Sequence, residues 1–399
     1  MPDAVGLRDR VQSALDQPVE VLTRAPGRLN VIGEHTDYIG GLALPAAIDR
    51  SILVGLHGAP TGLQLHSLDS GGSWSTSLDT PLDPALLSAG APDWVRYMLG
   101  SIAVFVAHVA GPHQAPAQVL RPFVAAVAGD VPTGAGLSSS AALTVAWMNA
   151  LAGWADHALE PTTIIQLARQ VEHQWLGVQC GALDQTASQM GRDGHLLMVD
   201  FQPEPLSVTP VRSALPNTTW LVLHTGVQRG LAHSEYSSRV QAVTEGLAQI
   251  RSQQPAVGHW RDLTLDHVAA LEPSQPLIAR RLRHGVTENT RVRAMVEAIQ
   301  HARPAQVGAL LNQSHASLRD DYGVSCPELD AMCALATARP GVWGARMVGA
   351  GFGGCALALA DANLADGDLS ELLQAYQQRT GRRGTAYRMR PGPGAERLV

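Results

Sequence analysis

Three stretches of this chain concentrate the side chains able to do chemistry. Residues Pro132 to Ala142 read PTGAGLSSSAA, after strand-like VAAVAGDV and before the apolar-periodic ALTVAWMNALAGWA. Gly134 and Gly136 open backbone angles closed to other residues, so consecutive N–H groups can converge on phosphate oxygens while the next helix adds its positive N-terminal potential. The serines at the cap supply hydroxyls for phosphate or Mg²⁺; an ordinary glycine turn with a serine N-cap is the alternative. A dinucleotide loop is excluded, because Ser139 stands at the third glycine of GxGxxG and no ribose-binding acid follows about 20 residues on. Gly349, Gly351 and Gly354 do spell that motif, yet strand-like CALALA follows instead of a helix.

The second stretch, Ala25 to Gly41, reads APGRLNVIGEHTDYIGG and gathers Arg28, Asn30, Glu34, His35, Asp37 and Tyr38 between apolar runs. Such a fan of donors and acceptors on a glycine-bracketed loop suits the vicinal hydroxyls of a sugar. A loop of merely solvated charges is the bland alternative, and a metal site on Glu34, His35 and Asp37 lacks standard ligand spacing. In the third stretch Glu172 shares 3–4 spacing with Ile165, Ala168 and Trp175, which sets a carboxylate on or beside the apolar face of a helix. It needs Mg²⁺ or an internal arginine as partner. Asp184, in a turn with Gly181 in GALDQ, can reach a bound substrate or serve as a helix cap.

The elements that must hold these residues can be read from periodicity. Val19 to Leu56 alternates short β-rich runs with turns, and LQLHSL and FVAAVAGDV extend the strand text. Helical stretches run Ser139 to Ala155 and Thr162 to Val178, followed by strands at HLLMVDF and TWLVLHT. The polar, proline-rich FQPEPLSVTPVRSALP marks a junction near residue 205, dividing the chain into 1–205 and 206–399. Helical text returns at His233 to Arg251, Glu288 to Ala302 and Ala305 to Leu318, before the glycine-rich loop and strand of GAGFGGCALALA.

Composition bounds the function. A chain of 399 residues, 45% hydrophobic and 16% charged, is too long for one core and makes two folded domains. Net charge −6 without a basic cluster argues against a nucleic-acid partner. No apolar run approaches the roughly 18 residues of a membrane span, and the start carries Asp3 and Arg8 where a signal peptide would be apolar, so a cytoplasmic location is expected. Cys180, Cys326, Cys333 and Cys355 form no CxxC pair and are expected as buried, reduced thiols. The sequence contains no lysine. That removes Walker A loops, the protein-kinase strand lysine and Schiff-base chemistry, leaving backbone amides, arginine and metal to handle phosphate.

Taken together these stretches resemble the galactokinase family of the GHMP kinase superfamily. APGRLNVIGEHTDYIGG resembles its N-terminal signature, PTGAGLSSSAA its ATP loop, EHQWLGVQCGALDQ its catalytic-aspartate segment and MVGAGFGGCALAL its third glycine-rich motif, with SHASLRDDYGVSCPELD extending the likeness over essentially the whole chain. GEHTDY is the part specific to galactokinase-like members. The resemblance implies an α+β, two-domain fold, with a mixed-sheet N-terminal domain and a ferredoxin-like C-terminal domain. It implies that Glu34, His35, Asp37, Gly181, Asp184 and Tyr236 bind galactose, with Arg28 and Asp184 flanking the anomeric hydroxyl. Gly134, Gly136, Leu137, Ser138, Ser139 and Ser140 would hold the phosphates of ATP, and Ser140 and Glu172 would bind Mg²⁺. Trp94 and Tyr97 match aromatic positions near adenine, although as residues they could equally be core. The implied activity is phosphoryl transfer from ATP to the anomeric hydroxyl by a cytoplasmic monomer. Asp184 would accept or orient the proton and Arg28 would steady developing charge. Val348 and Ala350 depart from the Thr and Gly of many members, which puts a hydroxyl role at 348 in doubt. Arg229 and Gly230 stand where the family varies. An N-acetylgalactosamine or arabinose 1-kinase, or a non-catalytic sugar- and ATP-binding regulator, are the rival readings; the intact SSSAA segment speaks against the regulator.

Overall fold

The computed structural model describes residues 4–86, 91–132, 134–227 and 232–399; the side chains of residues 4–5, 86 and 232–237 lie outside the described set. Helix α1 (Ala4–Leu15) leads into strand β1 (Val21–Asn30), followed by β2 (Leu42–Ala43), β3 (Pro45–Gly58) and the hairpin of β4 (Leu63–Ser67) and β5 (Gly72–Thr76). Helix α2 (Asp93–Ala110) and strand β6 (Phe123–Gly129) precede helices α3 (Ser139–Trp154), α4 (Pro161–Trp175) and α5 (Leu183–Met190), then strands β7 (His195–Asp200) and β8 (Ser207–Arg212). The remainder runs β9 (Thr218–His224), α6 (Ala232–Gln253), α7 (Leu265–Leu271), α8 (Pro276–Gln300), α9 (Pro304–Ser317) and α10 (Pro327–Thr337). It ends with β10 (Val342–Val348), β11 (Cys355–Asp361), α11 (Asp366–Thr380), β12 (Thr385–Met389) and β13 (Glu396–Arg397).

β1 is buried along its whole length, which a strand tolerates only with partners on both edges and cover on its faces. It lies between β13 and β3 in a six-stranded sheet of order β13-β1-β3-β6-β4-β5, in which only the β4–β6 pair is parallel. Helix α3 packs on β1 and β3 and is covered by α2, α4 and α5, so buried residues occupy most of its circumference, from Ala141 and Ala142 to Trp147 and Leu151. A second sheet of order β10-β11-β9-β12 is wholly antiparallel, with α10 against β10 and β11 and α11 following the β10–β11 hairpin. This is the ferredoxin-like split βαβ arrangement the resemblance implies. Mixed sheets plus helices give the α+β class.

The junction segment contains a strand that periodicity did not suggest. β8 pairs antiparallel with β7 in a third sheet, β2-β7-β8, and is exposed at most positions, which is where Pro210 is tolerated. Helix α8 begins at Pro276, well before the expected Glu288, because its inward face carries His284, Gly285, Glu288 and Asn289 in place of an apolar stripe. Helix α2 was not foreseen at all. Asp184, expected in a turn, lies in the first turn of the short helix α5. The GxGxxG at Gly349 to Gly354 joins two strands of a hairpin, as the strand-like text after it required.

One irregularity in β1 sets up the site. The register with β3 shifts between Pro26 and Arg28, and there the Arg28 amide donates to the Leu137 carbonyl at 2.9 Å, tying the strand to the glycine loop. A Cβ at Gly27 would stand 2.7 Å from that same carbonyl and 2.9 Å from Val131 Cγ1. Gly27→Ala is therefore expected to cost about 1–3 kcal/mol in denaturant unfolding and to lower turnover by displacing Arg28. Wild-type stability and turnover in that variant would show the approach is not tight.

Candidate active site

Four polar groups from three separate elements meet behind the bulge. Arg28, on β1 and only 6% exposed, donates through Nε to Asp184 Oδ1 at 2.7 Å, with Nη2 paired to the same oxygen at 2.7 Å, and through Nη1 to the Gly136 carbonyl. The Ser138 hydroxyl donates to Asp184 Oδ2. Ser138 caps α3 from the left-handed region at φ 55, and Gly134 and Gly136 stand at φ 73 and 69, so the loop adopts the backbone its glycines permit. The acid is thus held by a guanidinium fork that also grips the glycine loop, with half-buried access from one side.

Beside it lies a second carboxylate. Glu172, on α4 and 6% exposed, is pushed from 4.5 to about 7, first by burial and then by the charge of Asp184, against hydrogen bonds from Cys180 and Ser140. The Gln185 amide adds a long contact of 3.4 Å to Glu172 Oε1. Ser140 also bonds the Tyr97 hydroxyl, whose ionisation burial suppresses further. Tyr97 therefore faces the Ser140–Glu172 pair. Trp94, one turn earlier on α2, packs over Gly72 of β5. Glu172 and Ser140 form a hard-oxygen pair in want of a cation, which fits Mg²⁺. Among the described residues no group of three or more His, Cys, Asp or Glu could hold a metal by itself. Cys180 and Cys326 are half-buried rather than buried, Cys333 and Cys355 buried, and Cys180 is the one placed against the site.

The signature loop forms the third wall. Asp37 accepts from the Tyr38 amide at 3.0 Å and the Leu183 amide, and burial, then the charge of Asp184, raises it from 3.8 to about 6. Gly181 is pressed on that carboxylate so closely that a Cβ would lie 1.7 Å from Oδ2. A cavity of about 200 Å³ opens beside Asp37 and Gly181, between α4 and residues 201–206. His35 sits at φ 61 and is held neutral, its value dropping to about 3 through burial and the nearby His284 charge. Glu34 turns toward the second half, where Oε1 accepts from the Gly349 amide at 2.7 Å and faces the Arg346 guanidinium at 3.0 Å. Tyr236 falls in α6, and its side chain lies outside the described residues.

Residues 12–57 match the galactokinase galactose-binding signature, residues 101–192 the GHMP kinases N-terminal domain and residues 295–378 the GHMP kinases C-terminal domain. The chain is 34% identical over 407 residues to a galactokinase of Roseiflexus sp. (strain RS-1), covering 100% of this chain and 98% of that one. It is 35% identical over 386 residues to the galactokinase of Homo sapiens, covering 95% and 92%. The chain belongs to the galactokinase family. The crystal structure of Lactococcus lactis galactokinase complexed with galactose superposes with a TM-score of 0.87 at 29% identity, covering 99% of each chain.

Several residues of this galactokinase-family site were missed in the sequence. The signature loop is fastened from the second half by side chains: Arg346 to the Val31 carbonyl at 2.9 Å, Glu288 from the Gly33 amide at 3.1 Å, His284 to the Glu34 carbonyl at 3.1 Å and Asn289 from the Leu42 amide at 2.8 Å. Arg261 reaches the Gly40 and Gly41 carbonyls and pairs with Asp200. Burial alone would raise Glu288, but Arg291, His284 and Arg346 hold it down at about 2. The available signal was the i, i+4 pair His284 and Glu288 on the inward face of α8, polar residues where a helix normally turns apolar ones inward.

The buried Glu172 makes a pH prediction. A carboxyl whose folded value exceeds its unfolded one stabilises the fold below about 4.5 and loses that contribution as pH rises through about 7. In metal-free buffer, Glu172→Gln should melt above wild type at pH 8, and the gap should close by pH 5. Mg²⁺ should raise the melting temperature of wild type but not of the variant. Equal melting temperatures at pH 8 would mean the carboxylate is already paired.

Proposed function

We propose that Asp184, Arg28 and Ser138 carry the galactokinase reaction in this chain, the ATP-dependent phosphorylation of galactose at its anomeric hydroxyl to galactose 1-phosphate. The observation that carries this is the Arg28 guanidinium bonded at once to Asp184 and to the Gly136 carbonyl, which joins the acid to the glycine loop. Asp184 accepts or orients the anomeric proton. Arg28, planar and cationic, holds that carboxylate in place and stabilises charge developing on the transferred group. The amides and hydroxyls of Gly134 and Gly136 to Ser140 cradle the phosphates at the start of α3. Ser140 and Glu172 hold Mg²⁺, which when bound neutralises phosphate charge. Tyr97 braces that pair, and Trp94 and Tyr97 together border the adenine.

Glu34, His35, Asp37, Gly181 and Tyr236 recognise the sugar hydroxyls. Asp37, wedged against Gly181 and held by the amides of Tyr38 and of Leu183 on α5, has little freedom to move, so it discriminates by orientation. We place the domain division near residue 205. The pairing of β7 with β8 keeps the first-half strands together to Arg212, which supports a division within about ten residues of 205; β13 returns to the first sheet.

Asp184→Asn and Asp184→Ala should lose at least about a hundredfold in turnover while folding normally, the low end for a positioned base. A well-folded Asp184→Ala protein with near-normal turnover would take the aspartate out of the mechanism. Arg28→Lys should also be poorly active, since a point charge cannot serve the acid and the carbonyl together; normal turnover with a lower melting temperature would make Arg28 structural.

Sugar choice is the sharper test. Galactose and glucose differ only in the orientation of the 4-hydroxyl, so rejection rests on a buried polar group left unpaired, costing about 1–3 kcal/mol or roughly tenfold to a hundredfold in kcat/KM. Asp37→Ala should lower both activity and the galactose preference. Equal use of the two sugars by the wild type would leave a sugar kinase of the same fold but another substrate.

A further inference from the structure

The sugar-facing loop is braced from behind by a residue of the SHASLRDDYGVSCPELD stretch, which supplies none of the groups proposed for the reaction. The Tyr38 hydroxyl stands 3.0 Å from His35 Nδ1 and shares a hydrogen bond with the Tyr322 hydroxyl from the second half of the chain. The Tyr322 ring lies 4.7 Å from the His35 ring and 4.9 Å from the His284 ring, between centroids, and is only 2% exposed. His284 in turn donates from Nε2 to the Glu34 carbonyl at 3.1 Å and sets Nδ1 3.0 Å from Ser317 Oγ.

Two features show that this contact is built. Tyr322 ends a π-helical turn, Leu318–Tyr322, closed by Gly323 at φ 70. Such turns are rare, because they give up regular helical bonding, and they cluster at functional sites. On the other side His35 occupies the left-handed region at φ 61, a backbone that a non-glycine residue keeps only when its surroundings hold it. Tyr322 supplies that hold through its ring on His35 and its hydroxyl on Tyr38.

We propose that Tyr322 is a positioning residue for sugar choice: from the second half it fixes His35 and Tyr38, and with them the orientation of the hydroxyls the loop accepts. It acts through the loop without touching substrate. The proposal rests on the assignment of residues 34–37 to the sugar.

Tyr322→Phe tests it, because the substitution keeps the ring against His35 and His284 and removes only the hydroxyl. One lost hydrogen bond corresponds to about a fivefold effect. The variant should raise Kd and KM for galactose by about that factor and lower the galactose-over-glucose ratio of kcat/KM similarly. Its kcat at saturating galactose and its KM for ATP should remain as in wild type. Tyr38→Phe removes that bond and the His35 contact as well, so its effect on galactose KM should be at least as large, and the double variant should be no worse than Tyr38→Phe alone. Unchanged galactose KM and sugar ratio in well-folded Tyr322→Phe, an equal shift for ATP and both sugars, or additive effects in the double variant would each overturn it. A wild type that fails to phosphorylate galactose would instead strike the functional assignment beneath it.

Discussion

A sugar-binding loop carries many backbone polar groups into a buried place, and each must find a partner or cost its desolvation. Here the loop between β1 and β2 cannot satisfy itself, since it is neither helix nor strand over most of its length. Its amides and carbonyls at Val31, Gly33, Glu34, Gly40, Gly41 and Leu42 are met by side chains of Arg346, Glu288, His284, Arg261 and Asn289. The two halves of the molecule are therefore joined through the site itself. Residues far along the chain become part of the sugar pocket's geometry without facing its contents.

The second organising constraint is charge. Asp37, Glu172 and Asp184 lie close enough to disturb one another: Asp184 raises both neighbours, and burial raises them further. Arg28 is bonded directly to Asp184 and reaches Glu172 only as a more distant charge. Its fork serves Asp184 on one side and a loop carbonyl on the other, which a lysine ammonium on a flexible stem would do poorly. The remaining negative potential is suited to a divalent cation at Ser140 and Glu172. In a chain without lysine, planar guanidinium recognition recurs: Arg261 grips Asp200 and two loop carbonyls, and Arg346, fully buried, spans Glu34 and the Val31 carbonyl.

Conformational strain is concentrated in the same region. His35 and Ser138 are both non-glycine residues in the left-handed region, one at the signature loop and one at the glycine-serine loop. Each is held by side chains around it, His35 by Tyr38 of its own loop and the Tyr322 ring, and Ser138 by Asp184. Strain of this kind preorganises donors before substrate arrives.

Local sequence determined what a short window can encode. The glycine-serine loop, the strand before it and helix α3 after it were readable because glycine spacing, alternation and 3.6 periodicity are local properties. The polar cluster from Arg28 to Tyr38 and the buried Glu172 were readable for the same reason. Helix α5 is too short for its period to stand out, α8 hides its inner face behind His284 and Glu288, and β8 is an exposed edge strand without alternation. Only the tertiary structure decided which of these groups meet: Arg28 with Asp184, Tyr97 with Ser140, and Tyr322 with Tyr38. Such pairs are distant in the chain and close in space, because tertiary packing, within the first half for the first two and between the halves for the third, brings them within hydrogen-bond reach.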